Sequence, residues 1–192
     1  MAVVLATNAI IALNDLKVDF LKIDDLETEH DDLLTIAINS ASQKIEDYTR
    51  RIFKARSITQ NIDGEGNDCL NLYHWPIVSL TSLTNLDTSI AIDTTGFFID
   101  LEKGIIFAKG KSSFPELGYP WIQVIYQAGF STIPWNIQEA CIKMSAIEWA
   151  GRDTKRLGII SKNLADGSTL TYDKSDIPAD IKVVLDLYAR VI

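Results

Sequence analysis

The fold class is decided by one stretch, Trp121-Ile-Gln-Val-Ile-Tyr-Gln-Ala-Gly-Phe-Ser-Thr-Ile-Pro-Trp-Asn-Ile-Gln-Glu-Ala-Cys141, in which a strand pattern gives way to a helix pattern. The segment from Trp121 to Tyr126 is rich in aromatic and β-branched residues and predicts a strand. Pro134 fits the first turn of a helix that we expect to run to about Arg152. The predicted buried face of this helix consists of Ile137, Cys141, Met144 and Ile147.

Upstream of this stretch, residues 55–127 alternate in a way that predicts a small antiparallel sheet. A first hairpin is predicted around Asp63-Gly64-Glu65-Gly66, where it joins Ile58, Gln60 and Ile62 to Leu70 and Leu72. A second hairpin joins Phe97–Leu101 to Ile105–Ala108, with Gly104 free to take a positive φ. Such a sheet needs a helix or a partner to cover one of its faces.

The first third of the chain is predicted to be helical. Asn14 is expected to cap a short helix from Asp15 to Lys22, and an acidic linker follows from Asp24 to Glu29. A longer helix is predicted from about His30 to Arg51, because apolar residues recur there at three- and four-residue steps. They form one stripe of Leu34, Ala37, Ile38, Ala41, Ile45 and Tyr48.

The C-terminal part combines a polar loop, residues 153–178, with a last helix from Ala179 to Arg190 that Pro178 opens. The apolar stripe of this helix consists of Ile181, Val184, Leu185 and Tyr188. This stripe either packs back on its own domain or contacts a partner.

The predicted fold class is therefore α+β, with a helical core formed by N- and C-terminal helices and an inserted small antiparallel sheet. We divide the chain into a domain at residues 1–152 and a C-terminal part at residues 153–192. The domain contains helices at about 14–51 and 134–152 and the β insertion at about 55–127.

The charge balance argues against a nucleic-acid-binding protein. The chain has 192 residues, a formal net charge of −8 and a pI of about 4.7. A protein that neutralises phosphates needs a positive surface instead. No basic residue precedes the apolar start from Ala2 to Leu13, so a signal peptide is not predicted. Because no apolar run reaches membrane-spanning length, we expect a soluble cytoplasmic protein with reduced Cys69 and Cys141.

Catalytic motifs are nearly absent from the sequence. Gly110-Lys111-Ser112 resembles the end of a phosphate-binding loop, but Ile105 occupies the place of that loop's first glycine. The acidic run after Asp24 lacks the glycine and the glutamate of a calcium-binding loop. His30 and His74 lack the spacing of metal ligands. We predict no catalytic residue, no cofactor and no metal, with a small enzyme of unrecognised site as the alternative.

Four basic residues cluster at and just after the end of the long helix: Arg50, Arg51, Lys54 and Arg56. The first two suit the negative end of the helix macrodipole, and the others suit the solvent face of a strand. The alternative is contact with an acidic partner or with phosphate.

The order of these elements resembles phage head–tail connector, or head-completion, proteins over nearly the whole chain. The N-terminal resemblance is carried by Phe20-Leu21-Lys22-Ile23, Asp31-Asp32-Leu33-Leu34 and Ile45-Glu46-Asp47-Tyr48-Thr49-Arg50-Arg51. Further along it is carried by Leu72-x-x-x-Pro76-Ile77-x-Ser79-Leu80, Tyr126-Gln-Ala-Gly129-Phe130, Pro134 with Ile137-x-x-Ala140, and Ile177-Pro178-x-Asp180-Ile181 to Leu185-x-x-Tyr188. The sheet region departs from some compact family members that are almost wholly helical, and the resemblance implies that it is an insertion between the second and third helices.

The resemblance implies a structural role without catalysis. About a dozen copies would form a closed ring below the portal protein, extend the DNA channel and dock a tail-side stopper or tail-completion protein. DNA would pass without specific binding, because an acidic wall repels phosphate. The implied location is the head–tail junction of the virion, after assembly in the bacterial host cytoplasm. Another virion or tail-completion protein is the nearest structural alternative. The expected partner interface includes Ile181, Val184, Leu185, Tyr188, Arg50 and Arg51.

Overall fold

The computed structural model describes residues 3–63, 68–108, 114, 122–153, 161–163, 169–171 and 177–190. The chain divides into a helical unit, residues 1–50 with 134–192, and a β unit, residues 51–133. Helices come from both ends of the chain and the main sheets from its middle, so the predicted α+β class is confirmed. The predicted boundary near residue 152 falls inside the helical unit, at the end of its second long helix, and stays a prediction.

Two long helices, α1 (Asp31–Thr49) and α2 (Trp135–Asp153), pack against each other in the helical unit. The predicted stripe of α1 is buried at Leu34, Ala37, Ile38, Ala41 and Ile45 and half-buried at Tyr48. Arg50 ends α1 in the left-handed conformation, with a φ of 55°. The periodicity of the sequence therefore predicts this helix correctly, apart from its last two residues.

The buried face of α2 is predicted correctly at Ile137, Cys141 and Met144, whereas Ile147 is 55% exposed and its predicted burial is wrong. The cause is a polar contact at this end of the helix. Glu148 accepts hydrogen bonds from Ser40 Oγ of α1 at 2.7 Å and from Lys44 Nζ at 3.0 Å. This contact occupies the side that faces α1 and leaves Ile147 in solvent.

The short N-terminal helix, Asp15–Phe20, is a π-helix. The predicted capping by Asn14 is wrong, because Asn14 itself has helical dihedral angles and its side chain makes no capping hydrogen bond. Lys17 in this helix is buried, and its ammonium lies 2.8 Å from the carboxylate of Asp31 and 3.0 Å from the carbonyl oxygen of Asp25. This ammonium joins the π-helix to the acidic linker and to the start of α1.

The β unit contains two antiparallel sheets instead of the single predicted one. The strands of the first sheet lie in the order β1 (Arg56–Ile62), β7 (Ile122–Ala128), β3 (Ile77–Asn85) and β4 (Ile90–Ala91). The strands of the second lie in the order β2 (Cys69–Asn71), β6 (Ile105–Ala108) and β5 (Phe97–Asp100).

One predicted hairpin is confirmed and the other is wrong. β5 and β6 pair as predicted, and Gly104 between them has a φ of 68°. β1 and β2 do not pair with each other, because β1 pairs with β7 and β2 with β6. An alternating pattern specifies the two faces of a strand but not its neighbour.

The inner faces of the two sheets form one core. It joins Leu70 and Ile106 of the second sheet to Leu83, Val124 and Tyr126 of the first. The cover that the sequence predicts as a helix or a partner is thus supplied by a second sheet of the same unit.

The C-terminal part contains more structure than the predicted loop and helix. Within the predicted loop, β8 (Ser161–Asn163) and β9 (Thr169–Thr171) pair as an antiparallel hairpin. The last helix, α3, spans Ala179–Asp186 and is shorter than predicted. Among the described helices, none combines the length and the apolar character needed to cross a bilayer.

Candidate functional site

The C-terminal end of β7 and the residues that follow it hold the β unit together. Tyr126 is fully buried, and its hydroxyl donates a hydrogen bond to Gln60 Oε1 at 2.8 Å and accepts one from the backbone N–H of His74 at 3.3 Å. The same oxygen of Gln60 accepts a hydrogen bond from the backbone N–H of Tyr73 at 3.1 Å. The Tyr126 side chain therefore ties the segment at His74 to β1.

Gly129 lets two backbone segments come into direct contact. Its φ of 122° belongs to a region that L side chains rarely adopt, and an added Cβ would lie 2.8 Å from the Cα and N atoms of Ala55. Its N–H donates to the carbonyl of Pro76 at 2.9 Å, and the N–H of Phe130 donates to the carbonyl of Phe53 at 2.9 Å. The most characteristic part of the family-like sequence thus has a structural role here.

An open groove of about 540 Å³ lies beside this stretch in the β unit. Its lining includes Trp75, Glu102 and Phe130. The guanidinium carbon of Arg51 lies 5.3 Å from the ring centroid of Trp75, in cation–π contact. The structure therefore places Arg51, one of the predicted interface residues, in the wall of this groove.

The basic residues lie at and beyond the C-terminal end of α1. The last turn of α1 contains no basic residue, Arg50 is the capping residue, and Arg51 lies beyond the helix. Their predicted interaction with the negative end of the macrodipole stays a prediction. Lys54 is exposed, and its backbone forms an isolated parallel β-bridge with Phe130. Arg56 is half-buried at the start of β1.

The inner face of α3 packs on its own helical unit. Ile181 and Leu185 are buried, and Val184 and Tyr188 are half-buried. The hydroxyl of Tyr188 donates to Asn136 Oδ1 of α2 at 3.0 Å. At the other side, the hydroxyl of Tyr48 in α1 donates to a carboxylate oxygen of Asp186, and both this bond and the Asp186 charge raise the pKa of Tyr48.

The outer face of α3 carries apolar side chains that sequence reasoning missed. Val183 is 66% exposed and Leu187, one helical turn further, is 78% exposed. The end of α3 bonds to Asn136 through Tyr188, next to Trp135, which is 70% exposed. The sequence does indicate this exposed apolar surface, because apolar residues lie on more than one side of the helix.

One group of side chains in the described part of the chain has the spacing to hold a metal ion. Carboxylate oxygens of Glu27 and Glu29 and a ring nitrogen of His30 lie within 4.8 Å of one another. The spacing of the sequence predicts no ligand partners for His30, whereas the structure brings two carboxylates to it. Exposed acidic groups are common without an ion, so the group is not assigned to metal. The phosphate-loop resemblance at Gly110-Lys111-Ser112 lies outside the described residues.

The two cysteines have opposite environments, and neither forms a disulfide. Cys141 is fully buried, and burial raises the pKa of its thiol to about 11 despite opposing hydrogen bonds from Ser42 and Ser145. Cys69 lies on β2 and is half-buried.

We expect iodoacetamide to modify Cys69 and to leave Cys141 unmodified in the folded protein at about pH 8. Only the thiolate reacts, and a thiol with a pKa near 11 is about one part in a thousand thiolate at this pH. Peptide mapping by mass spectrometry after a timed reaction checks the result, with urea-unfolded protein as the control in which both react. Equal modification of the two cysteines in the folded protein would show that Cys141 is not enclosed.

A folded subunit with apolar side chains exposed on a helix is typical of proteins that assemble with other proteins. The family of head completion proteins matches residues 9–191, and the chain therefore belongs to this family. It is a structural head–tail connector protein of phage virion assembly, as the resemblance in its sequence implies.

Three solved structures share the fold over nearly their whole length. A chain of the neck of an empty GTA particle computed with C6 symmetry matches this chain with a TM-score of 0.67 and 16% sequence identity. The match covers 100% of this chain and 95% of that chain. The virion of a native gene transfer agent particle has a TM-score of 0.64 and 12% identity, over 100% and 95%. The neck of a native GTA particle computed with C12 symmetry has a TM-score of 0.60 and 15% identity, over 99% and 97%. Curated protein sequences give no match.

Proposed function

We propose that this chain is a subunit of a closed ring below the phage portal, where it extends the DNA channel and docks tail-side proteins. The observation that carries the proposal is the family match over residues 9–191. The fold likeness to neck proteins in particles computed with C6 and C12 symmetry supports a ring. Such a ring joins two different faces of each subunit, and it requires no catalytic step. Its subunits would assemble in the host cytoplasm.

The charge of the chain supports passage of DNA through this ring. The formal net charge is −8, and the linker before α1 exposes Asp24, Asp25, Glu27 and Glu29. Acidic surfaces repel phosphate and release no counterions on contact with DNA. We therefore propose that DNA slides through the channel without specific binding.

We place one contact, with the portal or with a neighbouring subunit, on the outer face of α3. Val183 and Leu187 supply its exposed apolar surface, and the half-buried Val184 and Tyr188 border it. The buried Ile181 and Leu185 hold the helix in position from behind. For Arg50 and Arg51, the second part of the expected interface, we propose separate contacts with acidic groups of a partner.

The ring is tested by measuring the native mass over a range of protein concentrations, alone and with the portal protein of the same phage. Light scattering behind a sizing column gives the mass, and negative-stain images give the symmetry of large species. A closed ring of about a dozen copies is expected in at least one of the two conditions. The absence of a ring in both conditions contradicts the proposal.

Val183→Asp and Leu187→Asp are each expected to weaken portal binding or ring formation about tenfold or more, because a charge replaces a central apolar contact. Both side chains are exposed, so the thermal midpoint of unfolding should change little. Ala179→Asp, at an exposed position of the same helix, is the matched control and should assemble like the wild type. If the Val183→Asp and Leu187→Asp variants assembled like the wild type, the outer face of α3 would not be part of the interface.

A further inference from the structure

The outer faces of the two sheets in the β unit differ in chemistry. The outward positions of β1 and β7 in the first sheet are polar at Ser57, Thr59, Asn61, Gln123 and Gln127 and apolar only at Ile125. This is the pattern of an antiparallel sheet with one face in water. In the second sheet, a row of outward positions across the three strands consists of Cys69, Phe107 and Phe98. The outer face of the second sheet is therefore more apolar along this row than that of the first sheet.

The two phenylalanines of this row reach into solvent. Phe98 is 58% exposed and Phe107 is 37% exposed, and their ring centroids lie 6.1 Å apart. Their neighbours Ile99 and Ile106 point to the other side and pack in the core. The aromatic rings thus add nothing to that core, and burying them against another molecule would be favourable. A sheet face of this kind is typical of a protein interface.

We infer that a second copy of this chain covers the Cys69–Phe107–Phe98 row in the assembled ring. The inference rests on the ring proposed above and assigns one of its two lateral contacts. Copies with a net charge of −8 repel each other, and this repulsion favours contact at faces with little net charge. The row itself is uncharged, and Asp100 in the next outward row is paired with Lys103 at 3.8 Å. The three described residues of the row itself offer no positive charge to a DNA phosphate.

Cys69 reports directly on this face, because it lies opposite Phe107 in the strand pairing. Its alkylation rate can be compared between the free subunit and the ring without any engineered label. Contact with a second copy is expected to slow the reaction about tenfold or more, since a thiol must be accessible to react. The buried Cys141 in the same sample shows whether the subunits have stayed folded.

A substitution tests the same face independently. Phe98→Asp is expected to weaken association between copies about tenfold or more, because it places a charge in the apolar row. The matched control is Thr59→Asp, on the polar outer face of the first sheet, which should associate like the wild type. Both positions are exposed, and circular dichroism with thermal unfolding verifies that both variants are folded.

Measurements with and without the portal protein separate this inference from the proposed ring. Slow alkylation of Cys69 in wild-type rings, together with impaired association of Phe98→Asp only, supports the inference. Rings in which Cys69 reacts as fast as in the free subunit overturn it and leave the ring intact. Protection by the portal in complexes that contain one copy identifies the portal as the covering partner and also overturns it. If no ring forms in either condition, the proposed function and the inference fail together.

Discussion

Replacement of Gly129 by alanine is expected to lower the free energy of unfolding by about 3 kcal/mol or more, a large part of a typical domain's stability. A non-glycine residue at a φ of 122° costs about 1–3 kcal/mol. The new Cβ would also lie 2.8 Å from backbone atoms of Ala55 and 2.9 Å from the carbonyl carbon of Lys54. Backbone cannot move aside as a flexible side chain can. The hydrogen bonds that Gly129 and Phe130 donate to Pro76 and Phe53 would be strained as well.

Urea unfolding monitored by tryptophan fluorescence measures this effect. Gly96→Ala is the matched control, since a Cβ on Gly96 would meet no atom within 4 Å, and its stability should change by about 0.5 kcal/mol or less. Equal urea midpoints for the two variants would mean that the close approach at Gly129 is easily relieved.

The parts of the fold that could be predicted from the sequence have local signals. The stripe of α1 repeats every three or four residues, and Gly104 provides the turn between β5 and β6. The partner of β1 has no local signal, because β7 lies far along the chain. Their contact includes the buried hydrogen bond between Tyr126 and Gln60, two residues that are 66 positions apart. Such distant pairings are specified by the whole core rather than by any one segment.

The exposed residues of the candidate interfaces on α3 and β5 also could not be predicted from local sequence signals alone. The apolar residues of α3 are visible in the sequence, but only the positions of α1 and α2 decide which of them face inward. Ile181 and Leu185 are buried against the helical unit, which leaves Val183 and Leu187 outside. Likewise, Phe97 and Phe98 are neighbours in β5, and their side chains point to opposite faces of the sheet. Phe97 packs against the core, whereas Phe98 is exposed.

Lys17→Ala is expected to lower the free energy of unfolding by about 2–3 kcal/mol, because it removes the buried partner of an ion pair whose Asp31 side chain is 28% exposed, and it leaves a cavity. The Lys17 side chain is 1% exposed, and its ammonium contacts Asp31 Oδ1 at 2.8 Å and the carbonyl of Asp25 at 3.0 Å. Alanine would leave both oxygens without this donor and would open a cavity where the methylene groups of lysine pack. Nothing in the sequence distinguishes this lysine from an exposed one, so its role emerges only from the structure.

Two further variants separate charge from packing and solvent exposure. Lys17→Met retains most of the side-chain volume, so it should be more stable than Lys17→Ala if the cavity contributes to the loss. Lys103→Ala removes the partner of Asp100 from a pair whose lysine side chain is 73% exposed, and a change of about 0.5 kcal/mol or less is expected. Thermal unfolding followed by circular dichroism compares the three variants with the wild type. If Lys17→Ala were as stable as Lys103→Ala, apolar contacts such as those of the buried Leu16 would be sufficient to hold the π-helix.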